Sequence, residues 1–328
     1  MPRRARGAMC SLLLVVLGGC AAPVAPPGRA SEAILQGTPD PDGDPSVVFI
    51  QMNAANGGGF CTGSVISPHV VITAAHCVDP AEIGADITSV RVYLGSVQGT
   101  LAVQDLPNWR AAREWHFNPD FNQDGNLSHD NGLILFDDPL PRTPLPLLLT
   151  GLGDEQRGAT IRLVGFGLHR LGDELSFGSR YQTTAVISGF GEQLVDYQGN
   201  AHSICSGDSG GPSFLSVGGV EHIIGVHSFT LQDCIGFAHD SRVDSNFYWS
   251  AAIIEGADPG TLPPGAGAIV DMPAPDMGGA AYGGDGCAMG GGSDGAGLAL
   301  LLVAGIVGAA LATRTRGRDR ARATTARS

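Results

Sequence analysis

Between residues 34 and 250 the chain is a succession of short runs rich in β-branched and aromatic residues, broken by Gly, Pro, Asn or Asp. Val47-Val-Phe-Ile-Gln51, Val70-Val-Ile-Thr73, Val90-Arg-Val-Tyr-Leu94, Leu133-Ile-Leu-Phe136, Ile161-Arg-Leu-Val164, Tyr181-Gln-Thr-Thr-Ala-Val-Ile187 and His222-Ile-Ile-Gly-Val226 are examples. Side chains branched at Cβ suit a pleated surface, and turn residues at this spacing reverse the chain repeatedly. The pattern predicts an all-β barrel or sandwich. One helix is expected at the end of the region, with Asp244 placed to cap a run through Phe247, Trp249 and Ile253. No internal repeat is visible.

Charge narrows the function. The 328 residues carry 32 acidic and 19 basic side chains, every basic one an Arg, for a net charge of −13. Four Arg lie in residues 1–30, and six Arg with one Asp lie in 313–328, which leaves 9 basic against 31 acidic residues between, a net of about −22. Such a middle does not track a phosphate backbone, so nucleic-acid binding is excluded. With 43% apolar and 16% charged residues, the chain is not wholly disordered.

The two ends have the composition of addresses. Arg3, Arg4 and Arg6 precede the apolar run 11–17, which is too short to span a bilayer, so residues 1–20 are expected to be an export signal and 21–33 a propeptide. The run ends in Leu17-Gly18-Gly19-Cys20, similar to the lipoprotein signal box, in which Cys20 would be lipidated; an ordinary cleaved signal is the alternative. Residues 256–297 hold 14 Gly and 5 Pro, the composition of a flexible tether, and 256–296 is taken as a linker. Residues 297–328 combine a run about long enough to cross a membrane with Arg314, Arg316, Arg318, Arg320 and Arg322. With Gly286-Cys287 before it, this end resembles the C-terminal sorting tails of myxobacterial surface proteins, where Cys287 would be a processing site; a plain membrane anchor is the alternative.

Seven Cys stand at 10, 20, 61, 77, 205, 234 and 287, and four of them fall in the exported middle. An oxidising compartment predicts two disulfides among Cys61, Cys77, Cys205 and Cys234, with three connectivities allowed. Joining 61 to 77 and 205 to 234 closes short loops of similar size. No Cys-x-x-Cys spacing occurs, and neither metal nor cofactor is expected.

Three motifs carry chemistry: Thr73-Ala-Ala-His76-Cys77, His129-Asp130-Asn-Gly-Leu-Ile-Leu135 and Cys205-Ser-Gly207-Asp208-Ser209-Gly210-Gly211-Pro212. On these residues the chain resembles the chymotrypsin/trypsin family of serine endopeptidases over about 34–252, with a protease domain expected at 34–255. The resemblance implies two antiparallel six-stranded β-barrels with a short C-terminal helix. It also implies Ser209 as nucleophile, His76 as base, Asp130 as its orienting carboxylate, and the N–H groups of Gly207 and Ser209 as an oxyanion hole. Asn131-Gly132 departs from the family's usual apolar-small pair. The Gly-x-Ser-x-Gly of an α/β-hydrolase elbow is also satisfied, but here both partners precede the serine and Pro212 opposes a helix.

The same resemblance places Ile34-Leu35-Gln36-Gly37 where family members are cut, so that a new ammonium on Ile34 would pair with Asp208; otherwise Ile34 merely begins a strand. Ser203 stands where trypsin-like members carry Asp, so cleavage after Arg or Lys is not expected. Ser228, Thr230 and Ala238 complete the expected specificity pocket, for which small or medium apolar residues are predicted. Asp120-x-Asn122-x-Asp124-Gly125-Asn126-x-Ser128 resembles the start of a calcium loop, but position twelve is Asn131, and the stretch is read as a polar turn feeding Asp130. The expectation is an exported, membrane-tethered, monomeric serine endopeptidase acting on proteins or peptides. A catalytically silent surface binding module is the alternative.

Overall fold

The computed structural model describes residue 34 and residues 37–96, 106–170, 173, 176–198, 203–231 and 234–266. Cys20, Cys287, the signal and propeptide segments and the tail at 297–328 lie outside the described residues. Among the described residues no helix is long and apolar enough to cross a membrane.

After β1 (Thr38–Pro39) come β2 (Val47–Ala54), β3 (Gly59–Ser67), β4 (Val70–Thr73), β5 (Ile87–Tyr93), β6 (Trp109–Ala111), β7 (Glu114–Phe117) and β8 (Gly132–Leu135). Strands β2 to β8 form an antiparallel sheet in the order β6-β5-β2-β3-β4-β8-β7. The sheet curls into a half-barrel, its edge strands β6 and β7 not pairing with each other among the described residues. Strands β9 (Thr160–Gly165), β10 (Tyr181–Phe190), β11 (Leu194–Gln198), β12 (Pro212–Val217), β13 (Val220–Thr230) and β14 (Phe237–Arg242) do close, because β9 pairs with both β10 and β12. Strand β1 adds to the β10 edge. The fold is chymotrypsin-like.

Burial explains the patterns. In central β2, Val47, Val48, Phe49 and Ile50 are all buried, which matches their unbroken apolar run. Strand β10 alternates instead, with Tyr181, Ala185 and Ile187 inward and Thr184 and Val186 outward, as a strand with one wet face should. After the short helix α1 (Pro80–Ile83), the one long helix among the described residues is α2 (Val243–Ala257), which buries Phe247, Trp249 and Ile254. Asp244 does not cap it. Arg242 occupies the cap position, and Asp244 sits in the first turn, where the helix dipole favours a carboxylate and Arg242 pairs with it at 2.6 Å.

Buried cross-links fix how the sheets meet. The Arg180 side chain is 2% exposed; it donates to Asp40 at 3.0 Å and to the carbonyls of Val47 at 3.2 Å and Pro41 at 3.0 Å, holding the Asp40–Pro41 segment against β2. Disulfides join Cys61 to Cys77 and Cys205 to Cys234. The first tethers positions 16 residues apart, and removing it by Cys61→Ala/Cys77→Ala should cost about 3 kcal/mol from loop-closure entropy. A lower urea midpoint is expected; an unchanged midpoint would contradict this.

Candidate active site

Strand pairing brings His76 and Asp130 together. β4 runs antiparallel to β8 with Thr73 opposite Gly132, so the turn leaving β4 meets the turn entering β8. His76 lies on a short 3-10 turn, Ala75–Cys77, and Asp130, 1% exposed, sits two residues before β8. His76 Nδ1 is 2.8 Å from Asp130 Oδ2, and the His76 backbone N–H donates to Oδ1 at 2.9 Å. A carboxylate only accepts, which puts the ring proton on Nδ1 and leaves Nε2 as the basic nitrogen. Burial pushes His76 down, but the charge and hydrogen bond of Asp130, with Glu82 behind them, outweigh it and raise the ring above 6.5. Burial likewise opposes the Asp130 charge, yet the His76 charge and the bonds from His76 and Ser228 hold its carboxyl below the usual range.

The approach to Asp130 is a polar turn. Asn122, Gly125, Leu127 and His129 all adopt positive φ. The carboxylates that resembled calcium ligands are engaged locally: Asp124 accepts from the Asn126 N–H at 3.0 Å and the Ser128 hydroxyl at 2.8 Å, and Asp120 accepts from Tyr248. Asn131 is buried and donates to the Ser241 hydroxyl, which accounts for a polar residue where an apolar one was expected. Asn246 on α2 holds the loop by bonding His129 at 2.8 Å and Asn118 at 3.3 Å.

Ser209 comes from the other sheet. Gly207 (φ 93) and Gly210 (φ 83) give its turn a left-handed backbone that a side chain would strain, and a Cβ on Gly210 would strike Thr73 Oγ1 at 2.1 Å. Thr62 on β3 pegs the turn in place, its N–H donating to Ser209 O at 2.8 Å and its hydroxyl to Gly207 O at 2.9 Å. Among the described residues the N–H groups of Gly207 and Ser209 have no acceptor, whereas those of Asp208, Gly210 and Gly211 do. No hydrogen bond joins Ser209 Oγ to His76; such contacts are commonly loose before substrate is seated. The nearby Cys61–His76–Cys77 group offers no metal thiolates, because both sulfurs are in the disulfide.

This arrangement is matched by known proteins. The family described as Trypsin matches residues 34–244. The chain belongs to the trypsin family. It is similar to Serine protease SP24D of Anopheles gambiae, 26% identical over 204 residues, covering 58% of this chain and 70% of that protein. Trypsin theta of Drosophila melanogaster is 27% identical over 199 residues, 55% of this chain and 70% of its own. Thrombin-like enzyme acutin of Deinagkistrodon acutus is 26% identical over 233 residues, 63% of this chain and 90% of its own.

Within this trypsin-family frame the other expected residues fall out unevenly. Ser203 and Ala238 are fully buried, Thr230 is half-buried opposite Ala238, and Ser228 turns its hydroxyl onto Asp130 Oδ2. Ser228 is thus a second support for the carboxylate, which its sequence neighbourhood did not reveal. Ile34 is 1% exposed with φ 31, a strained value for a β-branched residue. Asp208 is buried and accepts the N–H groups of Gly167 at 2.7 Å and Cys205 at 2.9 Å; burial drives its carboxyl up to about 6 against those bonds. Because the His76 shift depends on Asp130, an NMR titration of His76 should have its midpoint above 6.5, and below 6.5 in Asp130→Ala, where burial, the largest influence, is opposed only by the weaker Glu82 charge. A midpoint that does not fall would contradict the pairing. The raised His76 value means its contribution to stability is fully present below pH 6.5 and lost as pH rises through the folded midpoint, while the lowered Asp130 carboxyl contributes above its ordinary 3.8 and loses that contribution as pH falls through its own folded midpoint.

Proposed function

We propose that this chain is an exported serine endopeptidase that hydrolyses peptide bonds through an acyl-enzyme on Ser209. The supporting observation is the Asp130–His76 pair on one sheet facing a Ser209 turn that Thr62 of the same sheet holds by two hydrogen bonds. His76 Nε2 takes the Ser209 proton as Oγ attacks the peptide carbonyl carbon. The resulting oxyanion accepts from the free N–H groups of Gly207 and Ser209, and losing one such donor typically costs about 10²–10³ in rate. The imidazolium returns its proton to the departing amine, and water repeats the sequence to free the acid and Ser209.

Activation fits the same residues. In the uncut chain the Ile34 nitrogen is an uncharged amide, while Asp208 is buried without an ion-pair partner among the described residues. A cut before Ile34 would create an ammonium to meet that carboxylate and relieve the strained backbone at Ile34. Specificity is non-tryptic, since Ser203 offers no charge to Arg or Lys. Thr230 stands where the family usually has Gly and narrows the pocket, which supports a preference for small or medium apolar residues. An exported chain with a signal at 1–20, a propeptide at 21–33, a protease domain at 34–255, a linker at 256–296 and an anchoring tail at 297–328 completes the reading, with Cys20 and Cys287 as lipidation or processing sites. The binding-module alternative is disfavoured because all three reactive side chains are present.

A fluorophosphonate probe should label the chain cut before Ile34 and fail to label Ser209→Ala. Labelling should be slower in the uncut chain, and Asp208→Asn should remove the gain from cutting. Labelling that survives Ser209→Ala would sink the assignment.

A further inference from the structure

His227 and Asp240 form a buried polar pair that the acyl-transfer reading does not use. Both are 0% exposed. His227 Nδ1 is 3.0 Å from Asp240 Oδ1, which also accepts the Tyr197 hydroxyl at 2.9 Å, while Ser213 donates to Oδ2. Since Asp240 claims the Nδ1 proton, His227 is left with Nε2, and that atom is buried without a partner among the described residues. Ser203 Oγ, also 0% exposed, likewise has no partner among the described residues. Buried polar atoms are nearly always paired, so two orphans beside a nucleophile mark a place that a ligand completes.

Strand register says where the ring points. His227 pairs with Asp240 and Thr230 with Ala238, while Phe229 pairs with His239, and the ladder shifts between His227 and Phe229. Ser228 is the extra residue of that bulge. Asp240 and Ala238, two apart on β14, share a face, so the bulge sets His227 and Thr230 on that same face. Phe229 and His239 take the opposite one, where their rings stack at 4.5 Å. His227 therefore belongs to the wall that carries Thr230 and Ala238. Its ring also abuts the nucleophile turn, since a Cβ on Gly211 would lie 2.8 Å from His227 Cδ2. Among the described residues Asp240, which also holds the Tyr197 hydroxyl, and Asp208 are the titratable groups that face it.

We propose that His227 and Ser203 form the polar end of the specificity pocket and that the pocket selects a carboxylate side chain, glutamate or aspartate, before the scissile bond. This rests on the serine endopeptidase reading and replaces the apolar preference within it. A guanidinium or ammonium would meet the imidazole with no carboxylate to spare. An apolar side chain would leave Nε2 and Oγ unsatisfied, and an unpaired buried polar atom keeps its full desolvation penalty. A carboxylate supplies two oxygens for two donors, the Ser203 hydroxyl and an Nε2–H on an imidazolium held between Asp240 and the substrate, and charge-assisted bonds are roughly twice as strong as neutral ones. The domain's own charge is strongly acidic, so the preference is made at short range inside the pocket.

The test is kcat/KM on peptides differing only in the residue before the cleaved bond (Glu, Asp, Gln, Leu, Ala or Arg), with rates normalised to fluorophosphonate-reactive Ser209. An acidic residue should lead, by at least about 10-fold over Gln and about 10²-fold over Leu, as pockets built to hydrogen-bond a side chain reject analogues lacking it. His227→Asn should cut the Glu:Gln ratio at least about 10-fold, and Ser203→Ala should cut the Glu:Leu ratio several-fold. If His227→Asn no longer reacts with the probe, the wild-type profile and Ser203→Ala decide the matter. Preference for Leu, Ala or Arg, equal use of Gln and Glu, or a Glu preference untouched by the variants would overturn the proposal. A wild-type chain that fails to label would overturn the endopeptidase reading itself.

Discussion

One buried carboxylate ties the reactive machinery to the fold. Asp130 accepts from the His76 ring, the His76 backbone and the Ser228 hydroxyl, and those donors come from the turn after β4 and from β13 of the opposite barrel. A carboxylate with this little exposure is tolerable only when fully bonded, so each donor is required as much by stability as by chemistry. The β4–β8 ladder fixes the His76 and Asp130 turns side by side, and Thr62, one strand over, places the Ser209 turn against them. Interrupting any of these links would separate groups that lie 54 and 133 residues apart along the chain from His76.

Much of the fold was legible because the strongest strands are the most apolar. Val47–Gln51, Val70–Thr73, Ile161–Val164 and Tyr181–Ile187 all fall inside strands. Strands such as Gly59–Ser67 and Phe237–Arg242 were hidden by Gly, Ser, Asp and His, residues of low strand propensity that tertiary pairing overrides. Closure was not legible either. Whether edge strands meet depends on curl accumulated over the whole sheet, so the open first sheet could not be told from the closed second one by pattern.

The site divides in the same way. His76, Asp130 and the Ser209 run stand in motifs short enough to recognise locally. The partners that position them are isolated residues, and nothing near them in the sequence marks their role. Thr62, Ser228 and Asn246 find their partners only through register, with Thr62 and Gly207 separated by 145 residues. His227 and Asp240 are the plainest case. A His in an apolar strand and an Asp in a polar one carry no local signal, yet the β13–β14 ladder sets them opposite each other, with the His227 ring against the turn that carries Ser209. The trypsin family, whose relatives here are 25–28% identical, accounts for the frame of the site. The pocket chemistry has to be read from this chain's own side chains.

The central claim is that Asp130 acts by holding His76 in one tautomer toward Ser209. The direct measurement is kcat for Asp130→Asn on a cleavable peptide, beside circular dichroism showing the fold retained. An amide keeps the shape but can donate to Nδ1 and invert the tautomer, so a fall of about 10⁴ is predicted. A folded variant within about 10-fold of the parent would contradict the account.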